Sequence, residues 1–162
     1  MTHLLAESLL HTCTPFALRL SGNFGIRWYG LAYAGGLPFV LLAILLWLVD
    51  EELHPFVSIA LAAYGAVIVS FLGGIHWGIA FIKNTKYQRL HLIWGITLSM
   101  LACLAVLMPA FSGLPFLGFL LITAYLVDRK FYPNAGIKHW LTLRFRLTII
   151  SSIACFIAAG AT

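Results

Sequence analysis

Charged residues are scarce in this 162-residue chain, where Asp, Glu, Lys and Arg together make up 9% of the sequence. A soluble domain carries about 25% charged residues. No soluble fold of this size could bury the 62% of residues that are hydrophobic. The composition therefore excludes a soluble globular protein and predicts an all-α integral membrane bundle of five transmembrane helices.

Cysteine is also scarce, and Cys13, Cys103 and Cys155 lie far apart in the sequence. No CxxC pair occurs, so neither a zinc site nor a redox pair is indicated, and we interpret the cysteines as small apolar residues. The chain equally lacks a P-loop, a GxSxG motif, an HExxH motif and a dinucleotide fingerprint. These absences leave no candidate catalytic residue, metal site or cofactor, and we expect a protein that is not an enzyme.

Five apolar runs are candidates for the transmembrane helices, at about residues 29–49, 56–82, 92–108, 114–127 and 147–161. The fourth run is shorter than the ~20 residues that a helix needs to cross the hydrocarbon core. It borrows from residues 111–113, thins the bilayer or crosses only in part. Residues 1–28 are predicted to form an N-terminal cytoplasmic or interfacial segment, and residues 29–162 form the membrane domain.

The few charges are distributed unevenly between the two sides of such a bundle. All ten Lys and Arg residues fall within residues 1–28, 83–91 and 128–146, whereas the first outer loop carries three adjacent acids, Asp50–Glu52. Because short cytoplasmic loops carry an excess of positive charge, the N-terminus is predicted to be cytoplasmic and the C-terminus periplasmic. The same pattern requires the fourth run to cross the membrane.

Cations alternate with aromatic residues in the last polar segment, residues 128–146. Such a segment could bind a nucleic acid, but in a chain this apolar it is more typical of a segment that lies at the headgroups. We therefore expect the bilayer as a partner and no nucleic acid. Lys138, Arg144 and Arg146 are the candidate contacts to anionic lipid.

Small residues recur at every fourth position of the second span and at the start of the first. On a helix this spacing forms one narrow face. Such a face permits close packing between membrane helices, where no hydrophobic force drives association; the alternative is a ligand groove left by the missing side chains. The packing candidates are Ala62, Ala66, Gly30 and Ala34, and the groove candidates are Ser70, Gly74 and Gly78.

His76 is a further ligand-binding candidate, because an ionisable residue inside a span is a functional hypothesis by default. Trp77 beside it indicates instead a position near the headgroups. A bis-histidine haem site would need a second histidine, and His91 and His139, the candidates, both lie in predicted loops. A cluster of His76 with Arg144 or Arg146 would favour an enzyme that processes lipid headgroups.

The stretch Tyr64–Gly78, YGAVIVSFLGGIHWG, resembles the signature of a family of small bacterial membrane proteins of unknown function, whose animal relatives are called transmembrane protein 69. Ala32–Val40 (AYAGGLPFV) fits the first span of that family, and Arg144–Thr148 (RFRLT) fits the start of its last span. The resemblance covers roughly residues 29–160. It implies five spans and a bacterial inner-membrane or mitochondrial location, and it brings no catalytic residues.

A second, shorter stretch, Gly22–Leu31 (GNFGIRWYGL), resembles the first block of prolipoprotein diacylglyceryl transferase. The match covers about ten residues. The His-Gly-Gly-Leu motif of that family is absent, since Gly73–His76 reads in a different order. We interpret the match as a coincidence or a shared way of entering a membrane.

Three functions remain compatible with the sequence. The first is a non-catalytic structural bundle that binds a membrane-protein partner, a second copy or lipid. The second is a small carrier or channel for an uncharged or lipid-like molecule. The third is a haem or quinone protein that uses His76. An ion-coupled transporter is not favoured, because no predicted span contains a carboxylate, a lysine or an arginine.

The distribution of positive charge generates a testable topology. Alkaline phosphatase fused after Thr162 is expected to be active, because the enzyme functions only when it is exported. The same enzyme fused within residues 83–91 is expected to be inactive, since that loop should be cytoplasmic. An inactive C-terminal fusion would contradict the predicted orientation.

Overall fold

The structure is a computed structural model that describes residues 30–82, 87–137 and 139–162. Five helices occur in these residues, and each is long and apolar enough to cross a membrane. A single 3-10 turn, Glu51–Leu53, precedes the second helix. The helices are α1 (Gly30–Leu48), α2 (His54–Ile82), α3 (Gln88–Leu107), α4 (Ala110–Ala135) and α5 (Trp140–Ala159). The prediction of an all-α protein with five membrane helices is confirmed.

Three helices extend four or more residues beyond their predicted spans. α3 begins at Gln88, α4 continues to Ala135 and α5 begins at Trp140. The polar residues at these ends do not interrupt the helices, because a charged side chain leaves the backbone hydrogen bonds of a helix intact, whereas a break in the backbone conformation ends it. α4 reaches such a break only at Gly136, whose φ of 77° is the left-handed conformation that favours glycine. The fourth span is therefore of full length, with 24 residues that can cross.

The chain divides into two compact units, residues 1–35 and 36–162. In the first unit, the described residues Gly30–Gly35 form the first turns of α1. The packing candidates Gly30 and Ala34 belong to this part of the helix, and their role stays a prediction.

Within the second unit, α2 packs against both α3 and α4, α3 also contacts α4, and α5 packs on α4. The second half of α1 joins this group through the edge-on contact of Phe39 with Tyr64 and a hydrogen bond from Trp47 Nε1 to the carbonyl of Ile157. The buried core is aliphatic and contains Leu46, Leu61, Leu98, Leu114, Leu117 and Leu121. Large apolar side chains also cover the outer surfaces of the helices, as lipid-facing surfaces require.

α2 and α3 cross with no side chain between their backbones. A Cβ atom added to Gly73 would lie 2.6 Å from the carbonyl oxygen of Gly95, and one added to Gly95 would lie 2.5 Å from the Trp77 ring. Gly73 therefore lies directly against the backbone of α3, one position before the predicted Gly74. Of the packing candidates on α2, Ala62 is buried and Ala66 is partly buried.

Adjacent glycines give a matched test of this crossing. Gly73→Ala is expected to destabilise the protein by about 1–3 kcal/mol, because the new methyl group overlaps the backbone of α3. Gly74→Ala is the control, since a Cβ there meets no atom within 4 Å. Unfolding by sodium dodecyl sulfate in mixed micelles measures both, and equal stability of the two variants would refute the close crossing.

Candidate functional site

A buried ion pair joins the last two helices. Asp128 in α4 and Arg144 in α5 have side chains that are 1% and 8% exposed. Nε and Nη2 of Arg144 both donate to Oδ2 of Asp128, at 3.0 Å and 2.6 Å. An arginine stays charged in proteins, and a buried charge is stable only when it is paired and hydrogen-bonded. Asp128 is therefore present as the carboxylate.

His76 in α2 binds the other oxygen of this carboxylate, with 2.8 Å between Nε2 and Oδ1. The second ring nitrogen of His76, Nδ1, lies 2.8 Å from Nδ1 of His91 in α3. His76 is 1% exposed and His91 is 4% exposed. Each of the helices α2 to α5 thus contributes one side chain to a continuous chain of hydrogen bonds, which we call the four-helix network (His76, His91, Asp128 and Arg144).

The carboxylate determines where the hydrogens of the network lie. Asp128 has no hydrogen to donate, so Nε2–H of His76 must donate to Oδ1. A neutral His76 then has a bare Nδ1, which accepts a hydrogen bond from Nδ1–H of His91. If His76 is instead protonated, its Nδ1–H donates to a bare Nδ1 of His91. The network can therefore exist in two protonation states without any movement of heavy atoms.

Aromatic rings enclose the histidine pair on the side of α4. The Phe131 ring centroid lies 4.8 Å from that of His91 and 6.2 Å from that of His76. The buried ring of Tyr132 lies 6.1 Å from His76. An apolar enclosure excludes water and strengthens each hydrogen bond electrostatically. The network is thus a buried polar site inside the bundle.

The four-helix network lies at the end of the bundle where the α2–α3 and α4–α5 connections occur. The sequence predicts His91, Asp128 and Arg144 to lie in loops, and this prediction is wrong because α3, α4 and α5 extend over these residues. The expectation that no span contains a carboxylate is also wrong, because Asp128 lies within the apolar part of α4. One signal could have found Asp128: it is the single acid in a segment rich in Lys and Arg.

Two of the predicted groove residues, Ser70 and Gly74, line an open groove of about 240 Å³ between α2 and α3. Hydrogen bonding of Trp77 Nε1 to the carbonyl of Leu92, at 3.2 Å, joins the two helices beside it. His76 and Gly78 are not among the lining residues. The complete lining is Ser70, Gly73, Gly74, Trp77, Gly95, Ile96, Ser99 and Met100.

The remaining candidates occupy different environments. Arg144 is committed to Asp128, and Arg146 is exposed on α5. Lys138 lies outside the described residues. His139, at the start of α5, has its ring 6.2 Å from Trp140 and takes no part in the four-helix network. Contact of Lys138, Arg144 and Arg146 with anionic lipid stays a prediction.

The haem hypothesis is not favoured by the geometry of the histidines. Both ring nitrogens of His76 already make hydrogen bonds. A separation of 2.8 Å between the two Nδ1 atoms leaves no space for an iron atom between them. His76 and His91 therefore cannot serve as the two axial ligands of one haem in this arrangement.

A family model described as "Protein of unknown function (DUF3429)" matches residues 26–160. The chain belongs to this family. The comparison agrees with the resemblance of Tyr64–Gly78 to small membrane proteins related to transmembrane protein 69. Transmembrane protein 69 of Xenopus tropicalis is 43% identical over 79 residues, which are 48% of this chain and 31% of the relative.

Phosphatidylglycerol–prolipoprotein diacylglyceryl transferase of Bdellovibrio bacteriovorus is also similar, with 51% identity over 45 residues. The match covers 27% of this chain and 12% of the transferase. It is longer than the block of about ten residues noted in the sequence. The chain therefore spans less than a third of the length of either relative, and no solved structure matches it.

The buried ion pair can be tested by removing one of its charges. Asp128→Asn is expected to destabilise the protein by about 3–5 kcal/mol, because it leaves the Arg144 guanidinium buried without a counter-charge. Unfolding in mixed micelles measures the change. The double variant Asp128→Asn with Arg144→Gln removes both charges. Its loss of unfolding free energy should therefore be smaller than the sum of the losses of the two single variants.

Asp50→Asn is the control for the loss of a carboxylate, since Asp50 is exposed and its side chain makes no capping hydrogen bond. This variant should be as stable as the wild type. If Asp128→Asn behaves like Asp50→Asn, the buried ion pair does not contribute to stability.

Proposed function

We propose that the protein is a non-catalytic, lipid-binding helical bundle of the inner membrane. The observation that carries this proposal is the groove between α2 and α3, where glycines and serines replace the large side chains that cover the rest of the helix surface. A membrane protein with such a groove in its outer surface must fill it, and the molecules that surround it are lipids.

The position and size of the groove favour an acyl chain as its occupant. Gly74 lies eight residues before the end of α2 at Ile82, about 12 Å along the helix axis, and Ser70 lies about 18 Å from it. These depths correspond to the hydrocarbon region of a bilayer. A volume of about 240 Å³ is below the ~300–1,000 Å³ of typical small-molecule pockets. It suits a segment of a flexible chain better than an entire cofactor.

Cations at the same end of the bundle favour an anionic headgroup. Arg89 in the first turn of α3, and Arg129 and Lys130 near the end of α4, are exposed there. Basic residues near the membrane surface attract anionic lipids by about 1 kcal/mol each. We therefore propose phosphatidylglycerol as the first lipid to test.

The observed contacts support the alternative functions less well than they support lipid binding. The cluster of His76 with Arg144 that would favour a headgroup-processing enzyme is present, but Asp128 already occupies the guanidinium that would bind phosphate. A carrier for a lipid-like molecule would use the same groove and would in addition require the groove to open alternately to the two leaflets. A protein partner or second copy would cover an exposed apolar face instead.

The orientation follows from the charge pattern. With the N-terminus in the cytoplasm and the C-terminus in the periplasm, the four-helix network lies on the cytoplasmic side, beneath the exposed cations. This orientation places the proposed lipid in the inner leaflet of the membrane.

Filling the groove is expected to remove the bound lipid. Gly74→Leu places a side chain in the groove without disturbing α2, because no atom lies within 4 Å of a Cβ atom at that position. Native mass spectrometry of detergent-purified protein with added phosphatidylglycerol should show one retained lipid on the wild type and at least a fivefold lower occupancy on the variant. A fivefold lower occupancy corresponds to a loss of about 1 kcal/mol in the free energy of lipid binding.

Gly78→Leu is the matched control, since Gly78 lies one turn away on α2, has the same open space and does not line the groove. Its lipid occupancy should equal that of the wild type. Phosphatidylcholine in place of phosphatidylglycerol tests the charge of the headgroup. Equal retention of lipid by all three proteins would refute the groove as the binding site.

A further inference from the structure

The contact between the two histidines restricts how many protons the site can hold. Two Nδ1 atoms separated by 2.8 Å must share a single hydrogen, because two hydrogens would collide and none would leave two lone pairs opposed. When both rings are neutral, His91 supplies this hydrogen. When one ring is protonated, the contact persists with one hydrogen between the nitrogens.

A second added proton cannot be accommodated. Both rings would then carry hydrogen on both nitrogens, so Nδ1–H of His76 would face Nδ1–H of His91. The two rings would also be cations in direct contact. The pair therefore accepts one added proton with its geometry intact and must separate when it accepts two.

The groups that face the histidine pair do not relieve this restriction. From α4, the carboxylate of Asp128 already accepts hydrogen bonds from His76 and Arg144, and Tyr132 lies beside it. From α5, Arg144 adds a positive charge. The other ring in contact with both histidines, Phe131, carries no charge. The charges of Asp128 and Arg144 cancel, so no counter-charge remains for a second imidazolium.

We propose that the His76–His91 pair is a proton-binding site that controls the contact between α2 and α3. Singly protonated or neutral, the pair holds the two helices together inside the bundle. Doubly protonated, it forces them apart at this end. The site thereby converts proton uptake into movement of one helix against another, as histidine pairs do in other pH-sensitive proteins.

The same movement reaches the groove, and this consequence rests on the lipid-binding function proposed above. His76 lies one turn from Gly73, and His91 lies one turn from Gly95, so the pair and the glycine crossing are consecutive contacts of the same two helices. Separation of the histidines loosens the crossing that forms the floor of the groove. Lipid occupancy should then fall at acid pH.

The dependence of unfolding on pH tests the proton site directly. The range from about pH 8 to about pH 5 brackets the ordinary histidine pKa of about 6.5. Below that pKa, the unfolded chain binds a proton on each histidine, whereas the folded site accepts only one. Where the unfolded state binds more protons than the folded state, lowering the pH lowers the free energy of unfolding. In this range the unfolding equilibrium constant of the wild type should rise by up to about tenfold for each unit by which the pH is lowered.

His91→Asn provides the decisive variant. The introduced amide does not titrate in this range. Its nitrogen can donate to a neutral His76 from the position of Nδ1, and after a half-turn its oxygen can accept from a protonated His76, so the folded variant binds the same single proton as the unfolded variant. At pH 8 the variant should be close to the wild type in stability, and its acid dependence should be lost. His54→Gln is the control, because His54 lies at the opposite end of α2 and bonds only the carbonyl of Val49 among the described residues. This control should retain the dependence of the wild type.

Parallel pH profiles of the wild type and His91→Asn, or a wild-type profile without acid dependence, would overturn the proton site. Retention of phosphatidylglycerol at the two ends of the pH range tests the link to the groove. A lipid that is lost at acid pH from the wild type and kept by His91→Asn supports the link. An acid-sensitive wild type that binds no lipid at either pH would refute the lipid function while supporting the proton site.

Discussion

A buried guanidinium that cannot lose its charge is the constraint on which the polar interior depends. Arg144 requires the carboxylate of Asp128, and that carboxylate in turn requires hydrogen-bond donors on both of its oxygens. Nε2–H of His76 satisfies the oxygen that Arg144 leaves free, and this fixes the state of the opposite ring nitrogen. Each group therefore determines the next, from α5 through α4 and α2 to α3. The apolar enclosure makes any missing partner costly.

The second organising feature is the crossing of α2 and α3 at Gly73 and Gly95. In lipid, helices gain little from hiding apolar side chains, so close backbone contact must supply the attraction. The glycines provide that contact on one side and leave a groove on the other. Packing and binding surfaces thus arise from the same absence of side chains, which is why two adjacent residues, Gly73 and Gly74, have opposite environments.

The class of fold and the number of helices could be predicted from the sequence, because long charge-free runs have no other explanation in a chain of this composition. The groove was one of two alternatives for the face that includes Ser70 and Gly74, since a four-residue repeat of small side chains must form a face. The prediction chose Gly74 for its spacing and overlooked Gly73, because a repeat in one helix does not show where a second helix crosses. The tertiary structure decides which residues of the face contact another helix, and the sequence of one helix does not contain this.

The four-helix network could not be predicted either, because its members lie on four different helices. Hydropathy ended the fourth span at the first charged residue, and this rule assigned Asp128 to a loop. A charge can end an apolar run without ending a helix, as the continuation of α4 to Ala135 shows. His76 was identified as a candidate by its location, but its partners are 15 and 52 residues away in sequence. No local pattern links residues at such distances.

The short separation in sequence between the two charges of the buried ion pair has a consequence for how the protein is made. Asp128 and Arg144 are only 16 residues apart and belong to one helical hairpin. This hairpin can form its own ion pair as it leaves the ribosome, so these two charges can enter the lipid already paired. The α2–α3 hairpin carries only imidazoles at the corresponding depth and can be inserted without a counter-ion. The order of synthesis therefore never requires an isolated charge from this network to cross into the hydrocarbon.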